Sequence, residues 1–416
     1  LENSCLQIVN SKMPFKSSFS QLITSTQFYI YGRRKFGRSG FESAAKAYPK
    51  PDLLGVDPKH TQVKYNPTLN LGGRVYIVTG ANSGVGYEIT KFLAMHGARV
   101  HMVCRNKAKA EKAKAKIEDE CMKEIAEDEG KEDDSKKPDL RVLIADVSLE
   151  SDVRRAWKDF LKDSAESVEK EEKTSSSSGP RLDGLVCNAG ALLNTLHTTK
   201  EGVEVTFAAH LLFGTYLFGS LAMGALKACP TGGRLVAVSS GGMYNTKWPG
   251  IDEAASNSPK FSKKYDGQFS YACAKRGQVM LCERWGEEAE GTSVRIVSCH
   301  PGWTATPGVD KAYGDSKKYL GNMRTPWQGA EGIAWLCVAP SKEIKNGAFY
   351  LDRKPRTKHV SGWFFTQGWH TWNTSKQIDT FMANMKKWCD RATRPKSCVV
   401  VPDDDDDDDD SVSTKT

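Results

Sequence analysis

Tyr271 and Lys275 stand four residues apart in Tyr271-Ala-Cys-Ala-Lys275, a spacing that sets phenol and ammonium on one face of a helix. An ammonium beside a phenol favours the phenolate and draws the hydroxyl pKa from about 10 toward neutral. A tyrosine so placed can give and take a proton. Upstream, the pair Ser239-Ser240 offers a hydroxyl that can hold the oxygen being protonated, which fixes the geometry proton transfer requires. The chemistry these residues could do is proton exchange with an oxygen of a small molecule.

Thr79-Gly80-Ala81-Asn82-Ser83-Gly84-Val85-Gly86 follows the apolar run Arg74–Val78 and opens the amphipathic stretch Tyr87–His96. In that context the glycines form a phosphate-binding turn. Gly80 permits the bend, Gly84 lets backbone approach a pyrophosphate, and Gly86 allows close helix packing, while amides at the helix start face the anion. Further strands are expected at Arg99–Cys104, Leu140–Ala145, Leu182–Cys187, Arg234–Val238, Val294–Ser298 and Ala348–Leu351, with helical stretches between. The alternation predicts an α/β fold, a Rossmann-type doubly wound parallel sheet. We read one domain at 71–356, with a basic N-terminal extension at 1–70 and an aromatic-rich C-terminal extension at 357–416 that ends in an acidic tail.

Ligands of open parallel sheets bind at the carboxyl ends of the strands. There this chain carries Arg105-Asn106, Asp146-Val147, Asn188-Ala189-Gly190 and Pro301-Gly302 through Thr306. Arg105 is cationic where a carboxylate would meet ribose hydroxyls. It suits a 2′-phosphate through charge-assisted bonds, which favours NADP(H) over NAD(H).

The bulk composition narrows the partners. Net charge is +8, and the unbroken run Asp403–Asp410 masks a body near +15, basic enough to attract phosphate or an anionic surface. Nucleic acid is not expected, because no nucleic-acid motif accompanies the charge. The acidic run reads as a solubilising tail. Eleven cysteines without a Cys-x-x-Cys pair argue against a disulfide framework or metal site and for a reducing compartment. Two charged insertions, near 107–137 and 163–179, are expected as surface excursions, partly helical at best. Residues 12–40 are basic, Ser/Thr-rich and free of acid, which fits a transit peptide, a helix on a membrane surface, or one packed on the protein. Val205–Leu226 carries no Asp, Glu, Lys or Arg and is long enough to span a bilayer. Its His210 and glycines favour a buried helix packed between the sheet and a partner subunit, so a homodimer is expected. The aromatics Trp363, Phe364, Phe365, Trp369, Trp372 and Trp388 are expected to pack on the edge of the fold, ahead of serving as a lid or an interfacial contact.

The glycine spacing, the Asn-Ala-Gly element and the Tyr-x-x-x-Lys pair together resemble the short-chain dehydrogenase/reductase family. Gly37–Ala44, Ser239–Met243, His300–Gly308 and Asp352–Pro355 sharpen that resemblance to one branch, over about residues 28–356 outside the insertions. It implies that Tyr271 is the acid/base and that Ser240, the second of its pair, holds the substrate oxygen. Lys275 would hold ribose hydroxyls and tune Tyr271. Asp146 and Val147 would border the adenine, Asn188 would steady the sheet beside the cofactor, and Pro301-Gly302 would flank the nicotinamide. The family carries an Asn in a water-mediated proton relay where this chain has His210, with one extra residue following; an imidazole that donates and accepts can stand in. The expected activity is NADP(H)-dependent interconversion of a carbonyl and an alcohol on an apolar substrate. The alternative is a catalytically weak, cofactor-bound structural or sensor protein, and a membrane-surface scaffold is a third reading.

Overall fold

The computed structural model describes residues 19–55, 57, 61–130, 136–171, 180–359, 371–390 and 392–394. Runs of β-branched and apolar residues form β1 (Val75–Thr79), β2 (Arg99–Cys104), β3 (Asp139–Ile144), β4 (Gly184–Cys187), β5 (Arg234–Val238), β6 (Arg295–Cys299), β7 (Phe349–Leu351) and β8 (Lys354–Arg356). They lie in one sheet, ordered β3-β2-β1-β4-β5-β6-β7-β8. All neighbours are parallel except β7 and β8, which form a hairpin. Asp352 and Arg353 turn that hairpin at φ of 53° and 59°, and β8 is a strand the sequence reading did not predict. Every residue of β1, β4 and β5 is buried, as strands covered by helices on both faces must be.

The covering helices are α1 (Phe19–Lys35), α2 (Arg38–Ala45), α3 (Gly84–Met95), α4 (Lys107–Glu129), α5 (Glu150–Glu171), α6 (Val205–Ala228), α7 (Gly267–Glu288), α8 (Pro307–Tyr313), α9 (Pro326–Val338) and α10 (Ser375–Cys389). Alternation along the strands splits the core. Tyr76, Val78, Val100 and Met102 face α3, α4 and α9, whereas Ile77, Val103, Leu185 and Leu235 face α5, α6 and α7.

One expectation changes here, and two alternatives are decided. The Lys/Ala/Glu-rich insertion from Lys107 is a continuous helix, capped by Asn106, whose side chain accepts from Lys109 N at 2.9 Å. Its Ala110, Ala113, Ile117, Cys121 and Ile125 are buried, a stripe at helical spacing; residues 131–135 lie outside the described ones. The second insertion begins as the end of α5, and 172–179 also lie outside. Of the readings for residues 12–40, the described ones bear out the helix packed on the protein: Phe28, Tyr31 and Phe36 pack on Met243 and Tyr244 after β5.

Helix α6 is apolar enough to cross a membrane by length and composition, and 78% of its most apolar window is buried inside the protein. What covers its outer face is the chain's own α10. Trp388 meets Phe207 edge-on at 5.7 Å and Phe381 meets Trp248 at 4.9 Å. Trp388 thus packs as expected, Trp372 is half exposed, and residues 363–369 and the acidic tail are not among the described ones. The nine cysteines of the described residues are free and buried.

A buried charge cluster ties the N-terminal segment to the sheet. Arg324 pairs with Asp352 through Nη1–Oδ1 at 2.5 Å and Nη2–Oδ2 at 3.0 Å, and donates to the carbonyls of Phe36 and Lys35, both at 2.8 Å. Arg353 meets Glu331 and Asp52, and its guanidinium stacks 3.9 Å from the Tyr48 ring centroid.

Candidate active site

Gly80 sits at φ +68° directly after β1, a conformation that costs glycine least. A Cβ on Gly86 would overlap the Gly80 carbonyl and the Asn188 amide, so only glycine lets α3 start this close to the sheet. Ser83, at the N-cap, makes no side-chain cap bond, and it stands with Asn82 and Val85 in the turn that leads from β1 into α3. A Cβ on Gly84 would stand 3.1 Å from the Thr306 methyl. The segment after β6 therefore folds over the glycine turn. Thr306 caps α8 by accepting from Val309 N at 3.3 Å, and Gly302 takes φ +78° against Arg324.

Asn188 donates Nδ2 to the Thr79 carbonyl at 3.0 Å, and the amides of Asn188 and Ala189 both donate to Thr79 Oγ1 at 2.9 Å. Thr79, which opens the glycine motif and to which the sequence reading gave no role, thus locks β4 to β1 at their carboxyl ends. Arg105 is exposed at the end of β2 and makes no ion pair or hydrogen bond among the described residues. Asn106 is turned away as the α4 cap. Asp146 accepts from Ser148 N and Oγ at 2.8 and 2.7 Å, which shapes the turn beside buried Val147.

The proton-handling residues converge at the ends of β4, β5 and β6. Ser240 extends the strand direction of β5; its hydroxyl accepts from Gly242 N at 3.2 Å and lies close enough to the Tyr271 phenol to favour its ionised form. Ser239 instead donates to the Lys275 carbonyl at 2.8 Å, a structural use that supports the choice of Ser240. Lys275 is buried, with Nζ 5.4 Å from the Tyr271 ring centroid. It donates to Val238 O at 2.6 Å and Gln278 Oε1 at 3.1 Å. Desolvation, with no carboxylate in reach, brings its pKa down to about 7.

One expectation is reversed. Burial pushes the Tyr271 phenol above its ordinary 10, Ser240 pulls it down, and Tyr313 on α8 adds to the rise. Burial is the largest of these influences, and the Lys275 ammonium, beside the ring, donates to Val238 and Gln278.

His210 lies on a π-helical segment, Ala208–Leu217, inside α6. This wider turn takes up the one extra residue noted in the sequence, and Gly214 allows it, since a Cβ there would overlap the Ala209 carbonyl. The His210 imidazole presses against Gly190, meets the Tyr271 ring edge-on at 5.2 Å, and shares a 3.0 Å bond between Nε2 and Ala191 O. Nδ1 is buried without a partner, and desolvation with the Lys275 charge holds the ring well below 6.5, hence neutral. The ring makes no bond to Lys275. The His210 main-chain carbonyl is what connects to it, through Gln278.

Dehydrogenase/reductase SDR family member 12 of Homo sapiens is 32% identical over 342 residues, 82% of this chain and 91% of that protein. This chain belongs to the short-chain dehydrogenase/reductase family. The short chain dehydrogenase profile matches residues 74–137. Retinol dehydrogenase 14 of Mus musculus is 29% identical over 289 residues, 68% of this chain and 78% of that one. Among solved structures, a short-chain type dehydrogenase/reductase from Mycobacterium marinum covers 68% of this chain and 94% of its own at 18% identity and a TM-score of 0.48. As a member of the family the protein is an oxidoreductase of the carbonyl/alcohol class that uses a nicotinamide dinucleotide.

Sequence reasoning missed Gln278, Thr215 and Tyr313. Gln278 was detectable, because it follows Lys275 by three residues and so shares its helical face.

Proposed function

We propose that the protein is an NADP(H)-dependent reductase or dehydrogenase of an apolar carbonyl or alcohol. The observation that carries this reading is that Ser240, Tyr271 and Lys275 come together at the strand ends, on the edge of the sheet where the turn Gly80–Gly86 opens α3 and where Arg105 is exposed and, among the described residues, free of ion pairs and hydrogen bonds. The turn at Gly80–Gly86 and the first amides of α3 would hold the pyrophosphate. Arg105 would hold a 2′-phosphate, and Lys275 the ribose hydroxyls. The bound nicotinamide supplies or accepts the hydride.

The protein's own residues do the rest. Ser240 holds the substrate oxygen against the Tyr271 hydroxyl, which gives that oxygen a proton in reduction and takes one in oxidation. Tyr271 carries its proton at neutral pH, so it stands ready as the donor when a carbonyl is reduced. Phe28, Tyr29, Tyr31 and Trp303 cluster on the substrate side, and the likeness to retinol dehydrogenase 14 supports an extended apolar substrate.

The test is nucleotide binding and oxidation by purified full-length protein against a panel of apolar aldehydes and ketones. Tyr271→Phe should cut kcat by at least 10²-fold, in the range for loss of a general acid, and leave nucleotide affinity within about twofold. Arg105→Ala should weaken NADPH about tenfold or more, the equivalent of one charge-assisted bond, and leave NADH unchanged. Equal loss for both nucleotides would refute the assignment of Arg105. A second reading, a cofactor-holding protein of low turnover, is favoured by His210 and by the reversed Tyr271 shift. Strong activation by His210→Asn would support it.

A further inference from the structure

Gln278 is 1% exposed and spends its whole amide on two opposite neighbours. Its Oε1 accepts from Lys275 Nζ at 3.1 Å. Its Nε2 donates to the His210 carbonyl at 2.8 Å and to Thr215 Oγ1 at 2.9 Å, while Thr215 Oγ1 itself donates to His210 O at 2.6 Å. A flipped amide would turn its NH₂ on an ammonium and its oxygen on a carbonyl, so the orientation is fixed by its neighbours. The arrangement needs the π-helical turn, which brings Thr215, five residues on, over the His210 carbonyl.

Resting on the functional reading above, we propose that Gln278 is a positioning residue that holds the Lys275 ammonium beside Tyr271 by bridging it to the π-helical turn at His210. Lys275 has two protein acceptors, a carbonyl of β5 and this amide. Without the amide the ammonium keeps one acceptor in a buried site, which disfavours its charged form. A carboxylate in the same place would favour it.

Besides Tyr271 on its own helix, the titratable groups that face Lys275 are Cys187 on β4, Cys299 on β6, His210 on α6 and His300 after β6. Burial pushes Cys187 up to about 12 and Cys299 and Tyr271 upward, and takes His300 down to about 3 and His210 well below 6.5. Between pH 6 and 9, on this account, Lys275 alone among them changes charge.

The experiment uses Gln278→Leu and Gln278→Glu in the full chain. Stability is measured against pH, each protein beside the same protein carrying Lys275→Met, so that the difference reports the proton on Lys275. In parallel, NADPH affinity is followed by nucleotide fluorescence. The Leu variant should move the Lys275 midpoint down by about one pH unit and the Glu variant up by about one or more, the size expected for losing an acceptor or gaining a charge. Affinity for NADPH should fall at correspondingly lower and higher pH. A merely structural glutamine gives shifts of one sign or none, and either result overturns the proposal. If the Leu variant does not fold, the isosteric Glu variant decides alone. Failure of all these proteins to bind NADPH would sink the functional reading, and the stability midpoints would still judge the role of Gln278.

Discussion

Replacing Arg324 with Met should strip the N-terminal helix from the protein more effectively than any change within that helix. The guanidinium is 1% exposed and Asp352 4%, so the variant leaves a carboxylate buried without its partner, a loss of about 3–5 kcal/mol. The carbonyls of Lys35 and Phe36, which close the end of α1, lose their donor as well, at about 1 kcal/mol or more each. The sum is on the order of half the stability of a typical domain, about 5–15 kcal/mol, or a melting point lowered by on the order of 10 °C. Urea denaturation followed by tryptophan fluorescence measures the loss, and limited proteolysis should show cleavage within residues 19–45 before the rest. The double variant Arg324→Met/Asp352→Asn should recover at least half, since Asn tolerates the positive φ at 352 and the carboxylate left without its guanidinium is gone. A single-variant cost below about 1 kcal/mol, or a double variant no better than the single, would refute the account of this cluster as the anchor of α1.

Lys275→Met isolates a buried ammonium. With a folded pKa of about 7 against 10.5 unfolded, the unfolded chain holds the extra proton between those values, so wild-type stability contributed by this site rises with pH across that window. The variant should be the more stable protein below pH 7 and lose its advantage toward pH 10; an advantage independent of pH would contradict the assignment. Trp388→Ala, 2% exposed in the parent, should cost about 3–5 kcal/mol. It should also make the protein self-associate in light scattering, because Phe207 and Leu212 lose their cover, and a stable, monodisperse variant would speak against α10 as that cover.

The positions at the strand ends were readable because backbone demands leave glycine, asparagine and proline few substitutes: Gly80, Gly86, Asn188 and Gly302 all stand where the spacing put them. Strand ends fell within two residues for the same reason, since β-branched runs stop where turns begin. Helix α4 was not readable as a packed element, because its buried stripe is half alanine and its surface is nearly all charge, so composition outweighed period. The hairpin strand β8 hid behind Pro355, a residue that rarely marks a strand. Least legible was the direction of the Tyr271 shift. Helical spacing brings Lys275 to the phenol's side, and only three-dimensional structure shows that Val238 and Gln278 hold its charge more closely than the phenol does.

Both rims of the sheet are closed to strand exchange. At one, β3 presents Arg141 and Asp139, tied to each other at 2.8 Å. At the other, β8 is three residues long and carries Lys354, Pro355 and Arg356, so its central backbone lacks a donor. A foreign β-segment finds no ladder to extend on either side. The helices and loops, by contrast, carry no such guard against contact.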